Sequence, residues 1–391
     1  MTARALPSLL FVMVLLMCAP GAPWAAENAP ADHAKVFPTT PVTKADGSRW
    51  RIGYVAGGNY NQYPLTLIQI VNGLEKLQWL TLDADIPSGL SGHDLWQWLA
   101  THTHSPYLQF VDDAFWHAGN FDADQRAPMR TAIKRRIQAR GDIDLIIAMG
   151  TWAGQDMRKL GPPVPTLVAS SSDPVGSGIV DSAEDSGRRN LHARVVPERF
   201  QRQVRLFHDI VPFDSLGIVY ENSKAGRSYA AVAAVEQVGR ELGFNVVSCH
   251  ARSTNISAVQ AVTNAVNCYR ELAQKHVDAV YVTTHRGVTP VSIKTIAKLL
   301  EDANIPSFSM NGSSEVKQGI LLSLAQAGLS YVGLFQAETM ARIFHGATPR
   351  ELTQIWVAPP KIALNLATAQ EIGFDPPVDI LLAADEVYQS N

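Results

Sequence analysis

Two distant stretches of the chain are written alike. VPTLVASSSDPVGSGIV at 164–180 aligns without gaps on IPSFSMNGSSEVKQGIL at 305–321, matching Pro165 to Pro306, Ser172 to Ser313, Val175 to Val316, Gly178 to Gly319 and Ile179 to Ile320. DIDLIIAMGTWAG at 142–154 matches KHVDAVYVTTHRG at 275–287 when Asp144 is laid on Asp278; each then runs aspartate, apolar strand, turn. RIGYVAGGNYNQY at 51–63 follows LGIVYENSKAGRSY at 216–229 with Gly53 on Gly217. Three pairs in the same order predict two related α/β units.

The local patterns agree. Short apolar runs such as DLIIAMG, PTLVASS, LGIVYE and AVYVTT alternate with longer helical periods such as LTLIQIVNGLEKL and YAAVAAVEQVGRELG. Continuous apolar strands between helices mean parallel sheets covered on both faces. The expected class is therefore α/β with two Rossmann-like lobes. In such sheets ligands bind beyond the carboxyl ends of the strands. The turn at 150–152, where LIIAM stops at a glycine, becomes a candidate site rather than a plain connection.

The N-terminus MTARALPSLLFVMVLLMCAPGAPWAAEN places Arg4 before an apolar run too short to cross a bilayer, which predicts a signal peptide over 1–26 and an exported, secreted or periplasmic protein. Met17 directly before Cys18 fits a lipid-attachment box poorly, so anchoring there is not expected. Residues 27–48, rich in Pro, Thr and Ala, predict a mobile leader. Export leaves Cys249 and Cys268. Cys249 ends a strand-like run and Cys268 lies late in the next helical run, so they either pair or remain two buried thiols. A net charge of −3 argues against a nucleic-acid partner.

IGYV, AMGTWAGQ, SSSDPVGSGIV, YVTTHRGVT and the closing KIALNLATAQEIGFDPPVDILLAADEVY, together with the signal peptide, resemble ABC-transporter substrate-binding proteins. The nearer branch includes tryptophan- and aromatic-amino-acid-binding proteins. The resemblance implies the type I periplasmic-binding-protein fold: two lobes joined by a three-crossing hinge and closing on a ligand. It places the crossings near 181–192, 311–318 and 347–352, the N-lobe at 49–185 plus 319–348, and the C-lobe at 190–312 plus 352–391. It implies a monomer that captures a small solute, first an amino acid or related carboxylate, and delivers it to an ABC permease in the membrane, with no catalysis and no cofactor. The alternative is an extracytoplasmic sensing module for a separate receptor. The Trp- and His-rich segment 80–125 departs from the pattern.

A cleft binder needs a few orienting polar groups and an apolar or aromatic surface. The loops after the strands supply both. In the first half these are Asn59, Tyr60 and Tyr63, then Thr151 and Trp152, then Ser170, Ser171, Ser172 and Asp173. In the second half they are Glu221, Asn222, Ser223 and Arg227, then Thr284, His285 and Arg286, then Asn311, Gly312 and Ser313. For an amino acid, Thr151 and the serines at 170–172 would receive the carboxylate beside a helix N-terminus. Glu221 or Asp173 would pair the ammonium, and Trp152, Tyr60 or Tyr63 would stack on the side chain. Each group has a plainer alternative. Asp173 also reads as a helix N-cap, Trp152 as hinge packing, and Arg227 as one half of a surface ion pair.

No metal site is expected. His102 and His104 lie two apart, and no further His/Cys spacing completes a set. GTWAG lacks the serine of a nucleophile elbow, and no G-K-[ST] follows it.

Overall fold

The structure, a computed structural model, describes residues 36–326, 329–356 and 360–389. The first half runs β1 (Trp50–Ala56), α1 (Gln62–Lys76), β2 (Thr81–Leu82), α2 (Gly92–His102), β3 (Thr103–His104), β4 (Leu108–His117), α3 (Arg126–Arg140), β5 (Leu145–Met149), α4 (Gly150–Leu160), β6 (Thr166–Ala169) and β7 (Leu191–Ala193). β4-β1-β5-β6-β7 form a parallel sheet, while β2 and β3 pair as a small antiparallel ladder.

The strand period of two splits the core between the two faces of this sheet. Leu145, Ile147 and Met149 of β5 pack with Leu67 of α1, Trp96 of α2 and Tyr54 of β1. Ile146 and Ala148, between them, pack with Ile133 of α3 and Met157 of α4. The segment 80–125 thus has a structural role: it supplies the edge strand β4 and its covering helix α2. The Trp96 indole donates to the Val111 carbonyl at 2.9 Å.

The second half runs α5 (Arg199–Ile210), β8 (Ser215–Tyr220), α6 (Lys224–Tyr229), α7 (Val232–Leu242), β9 (Asn245–His250), α8 (Ala258–Gln274), β10 (Ala279–Val282), α9 (Ser292–Asp302), β11 (Ser307–Ser309), α10 (Ser313–Val316), β12 (Leu322–Gln326), α11 (Leu329–Phe344), β13 (Pro360–Asn365), α12 (Leu366–Glu371), α13 (Val378–Ala383) and β14 (Ala384–Tyr388). The second sheet has the order β14-β13-β12-β11-β10-β8-β9. It is parallel except where β13 meets β12 antiparallel. The same alternation puts Ile218 of β8 with Val235 of α7 on one face and Val219 with Leu272 of α8 on the other. Cys249 of β9 and Cys268 of α8 form a disulfide, with Cα atoms 5.5 Å apart.

The repeat survives at atomic detail. Asp144 accepts the Arg51 N–H at 2.7 Å, and Asp278 accepts the Ser215 N–H at 2.8 Å. The Pro165 carbonyl accepts from Ile146 and the Pro306 carbonyl from Val280, both at 2.9 Å. The turns after β6 and β11 close alike, Ile179 N–H to Pro174 and Ile320 N–H to Glu315.

The chain changes sheets later than the sequence suggests. β7 still belongs to the first sheet and β12 to the second, so the first crossing follows Ala193 and the second comes only after β12. The aligned segments end at 180 and 321, one strand before each unit is complete, which is why the expected crossings at 181–192 and 311–318 fall short. α11 then returns to the first lobe, where Gly333 lies so close to Gln69 of α1 that an added Cβ would meet the Gln69 carbonyl oxygen at 2.1 Å. The third crossing runs from Leu352 towards β13. It pairs with the first: Val195 bridges Ile355 in parallel, and the His192 ring meets the Thr353 carbonyl at 2.9 Å.

The expected leader is partly corrected. Residues 37–48 have no regular structure, yet they are tied to the first lobe. The Thr39 and Val42 carbonyls accept from the indoles of Trp79 and Trp50, each at 2.8 Å, and Lys44 pairs with Asp144 at 2.6 Å. The expected signal peptide lies outside the described residues. No helix among the described residues is long and apolar enough to cross a membrane.

Candidate functional site

β5 ends at Met149 and α4 begins at once with Gly150. Gly150 has φ +89°, and a Cβ there would lie 1.8 Å from the Tyr63 hydroxyl oxygen, so only glycine makes this turn. Thr151 and Trp152 form the first turn of α4, which no side chain caps. Ser170 follows β6 with φ +57°. That left-handed turn lets Ser170 and Ser172 face the cavity while Ser171 turns inward, its hydroxyl 3.3 Å from that of Thr151.

The cavity and its solvent-open mouth together span about 560 Å³ of unfilled space. The first lobe contributes Tyr60, Tyr63, Phe121, Thr151, Trp152, Ser170 and Ser172; the second contributes Tyr229, Ser253, Thr254, Thr284 and Arg286. Trp152 is pinned on two sides. The Arg126 guanidinium lies 4.5 Å from its ring centre, and Phe121 meets it edge-on at 5.6 Å. Phe121 is itself packed on Gly58, where an added Cβ would come within 2.5 Å of its ring. The glycine pair at 57–58 therefore admits Phe121 and Trp152 rather than a ligand. Burial raises the hydroxyl pKa of Tyr60 and Tyr63 and pushes that of Tyr229 up to about 12, so all three stay neutral.

Arg286 is the one cation among the lining residues. Its Nη1 donates to the Ser253 and Ile256 carbonyls at 2.6 and 2.9 Å. Its Nη2 is buried and, among the described residues, has no hydrogen-bond partner. The two lobes touch beside it. Asn255 donates its N–H to the Phe121 carbonyl at 3.4 Å, its side-chain oxygen accepts the Ala123 N–H at 3.0 Å, and the Arg286 guanidinium lies 5.6 Å from the Phe121 ring centre.

Several residues that the sequence nominates stand elsewhere. Glu221 does not line the cavity: its Oε2 accepts the N–H groups of Ser253 and Thr254, each at 2.7 Å, and both their hydroxyls. Burial raises its pKa, but these donors outweigh burial and hold it below the usual glutamate value. Asp173 caps the following turn by accepting the Gly176 N–H at 2.8 Å. The two acids expected to receive an ammonium are thus both committed to backbone. Ser223 caps α6 by accepting the Gly226 N–H at 3.0 Å, and neighbouring Asn222 is exposed. Arg227 pairs with Glu236 at 2.9 Å.

Buried His285 bonds the Ala251 carbonyl and the Gly287 N–H, both at 2.9 Å. Asn311 stands one layer behind the cavity, where it accepts from Thr284 Oγ1 at 2.6 Å and donates to half-buried Glu315 at 2.8 Å. Gly312 and Ser313 open α10. Asn59 faces a neighbouring hollow, shared with His117 and Phe115. His102 bonds the Trp98 carbonyl, and His104 bonds Asp83.

Phe121, Tyr229, Ser253 and Thr254 line the cavity without having been nominated. Tyr229 closes the aligned stretch LGIVYENSKAGRSY and was legible there. The other three sit on loops with no counterpart in the repeat.

No curated protein sequence matches the chain. A family model described as ABC transporter substrate binding protein matches residues 119–388. The chain belongs to that family. Solved structures share the fold of this binding protein. An ABC domain in complex with L-Trp from Streptococcus pneumonia aligns with TM-score 0.63 at 19% identity, covering 86% of this chain and 99% of that one. A conserved domain protein from Vibrio cholerae aligns with TM-score 0.62 at 19% identity, covering 87% and 100%. A ligand-free, open substrate binding protein with adhesive properties from Clostridium difficile aligns with TM-score 0.54 at 18% identity, covering 88% and 100%. The two-lobed α/β architecture is that of a type I periplasmic binding protein.

Proposed function

We propose that this binding protein captures a small solute between its lobes outside the cytoplasm and hands it to the permease of an ABC importer, without chemical change. One observation carries the reading: the cavity wall is divided between the lobes, and the 253–256 loop touches the first lobe beside it. A ligand bound there contacts both lobes at once and so favours the closed form by its differential affinity. Aromatic walls with a few hydroxyls and one guanidinium suit a small carboxylate with a flat apolar body. An aromatic amino acid, which the Streptococcus structure holds, is the first compound to try.

The test is a thermal-shift screen of the purified protein against amino acids, other carboxylates, sugars and small heterocycles, followed by small-angle scattering with the hit. A stabilising ligand that also shrinks the radius of gyration supports the reading. A stabilising ligand that leaves the scattering profile unchanged, or that is converted to product, overturns it.

A further inference from the structure

We infer that the cleft selects an aromatic carboxylate that carries no amino group, over the corresponding amino-acid zwitterion. The inference rests on the solute-binding reading above and narrows it.

The argument is one of charge placement. A guanidinium keeps its charge in a protein, and burying a charge is costly unless it is paired. Arg286 lines the cavity, and among the described residues its buried Nη2 has no hydrogen-bond partner. Across the cleft, the uncapped first turn of the 11-residue helix α4 presents Thr151 and Trp152. Both features stabilise negative charge.

Nothing comparable receives a positive one. Among the described residues no carboxylate lines the cavity. The three nearby acids are engaged elsewhere: Glu221 with the 253–254 loop, Asp173 with its own turn, and Glu315 with Ser309 and Asn311. An ammonium has three donors and a full charge. Here it would meet hydroxyls and ring faces but no carboxylate, in a cavity whose one charged side chain is a cation. The rings of Trp152, Phe121 and Tyr229 supply the flat apolar surface for the rest of the molecule.

The experiment is isothermal titration of the purified protein with indole-3-propionate, L-tryptophan and tryptamine, and in parallel with 3-phenylpropionate, L-phenylalanine and phenethylamine. Within each set the ring is constant, and the carboxylate and the ammonium are varied one at a time. The expected result is that one desamino acid binds at least about tenfold tighter than its amino acid and that the amine does not bind. Arg286→Gln should weaken the carboxylate by a similar factor. The wild-type comparison decides even if that variant does not fold. An amino acid that binds as tightly as its desamino partner overturns the inference and leaves the solute-binding reading standing, as does an amine that binds. Binding of none of the six also overturns it. The wider reading fails separately, on the closure measurement given above.

Discussion

Trp152 and Arg286 hold equivalent positions in the two halves of the chain, and both meet Phe121, Trp152 by an edge contact at 5.6 Å and Arg286 with its guanidinium 5.6 Å from the ring centre. Trp152 stands just beyond β5 and Arg286 just beyond β10. The repeat thus brings the same loop of each lobe to the same cavity from opposite sides. Phe121, which belongs to neither repeat, fills the angle between them.

Removing that shared contact should be felt in binding. Phe121→Ala is expected to weaken ligand affinity by about 2 kcal/mol through the loss of one buried aromatic surface. Its effect on the melting temperature of the ligand-free protein should be smaller than that of truncating a fully buried residue, because the half-buried ring packs only on the edge of the first lobe's core. Titration and thermal melts on the same variant separate the two.

Glu221 is expected to act on the site at one remove. Glu221→Ala leaves the Ser253 and Thr254 N–H groups without the acceptor they now share, a loss of about 2 kcal/mol in stability. Ligand affinity should fall as well, because Ser253 and Thr254 are in the cavity wall. Since the folded carboxyl titrates below its ordinary value, this contribution is fully present above about pH 4.5 and is lost as the pH drops through the folded pKa. Melts from pH 7 down to pH 3 on wild type and variant should converge at the acid end.

His192 has the opposite character, a buried base kept neutral at the hinge. Burial lowers its pKa to about 4, although the bond to Thr353 works against this. An unfolded chain takes up a proton there below about pH 6.5, but the folded one does not until about pH 4. Acid across that window therefore favours unfolding, by up to about 3 kcal/mol, and there is no penalty above it. His192→Gln, which can still donate to the Thr353 carbonyl, should flatten the melting temperature between pH 4.5 and pH 7. An unchanged slope would show that His192 is not the group responsible.

The disulfide closes a loop with a sequence separation of 19. In the chain-entropy account its loss should cost about 3 kcal/mol. Cys268→Ala and chemical reduction of the wild type should lower the denaturation midpoint by similar amounts. Because β9 and α8 lie in the second lobe only, ligand affinity at low denaturant should change little.

Much of the fold was legible because repetition makes weak local signals agree. Asp144 and Asp278 each stand before an apolar strand in the sequence, and in the structure each caps the neighbouring strand through the same N–H bond. The lobe boundaries were less legible. Sequence similarity faded before β7 and β12, although the units did not end there. Of the nominated ligand groups, Tyr60, Tyr63, Thr151, Trp152, Ser170, Ser172, Thr284 and Arg286 do reach the cavity, since a strand's end fixes where the next residues point. Which acids are free to meet a ligand could not be read in the same way. Glu221 and Asp173 follow strands as expected, but their oxygens go to backbone N–H groups whose positions depend on loop conformation. Phe121 gives no periodic signal at all, for it lies just beyond the edge strand of the one segment that has no repeat partner.

The contact of Asn255 with Phe121 and Ala123 separates two quantities that an equilibrium measurement merges. Its bonds go to main-chain groups, the Phe121 carbonyl and the Ala123 N–H, and offer the ligand no polar group, yet they add to the free energy that keeps the lobes together. Changes at that position would alter how long a captured molecule stays without altering its identity. Retention could then be tuned to the pace of a membrane partner while selectivity, set by different atoms, stayed fixed.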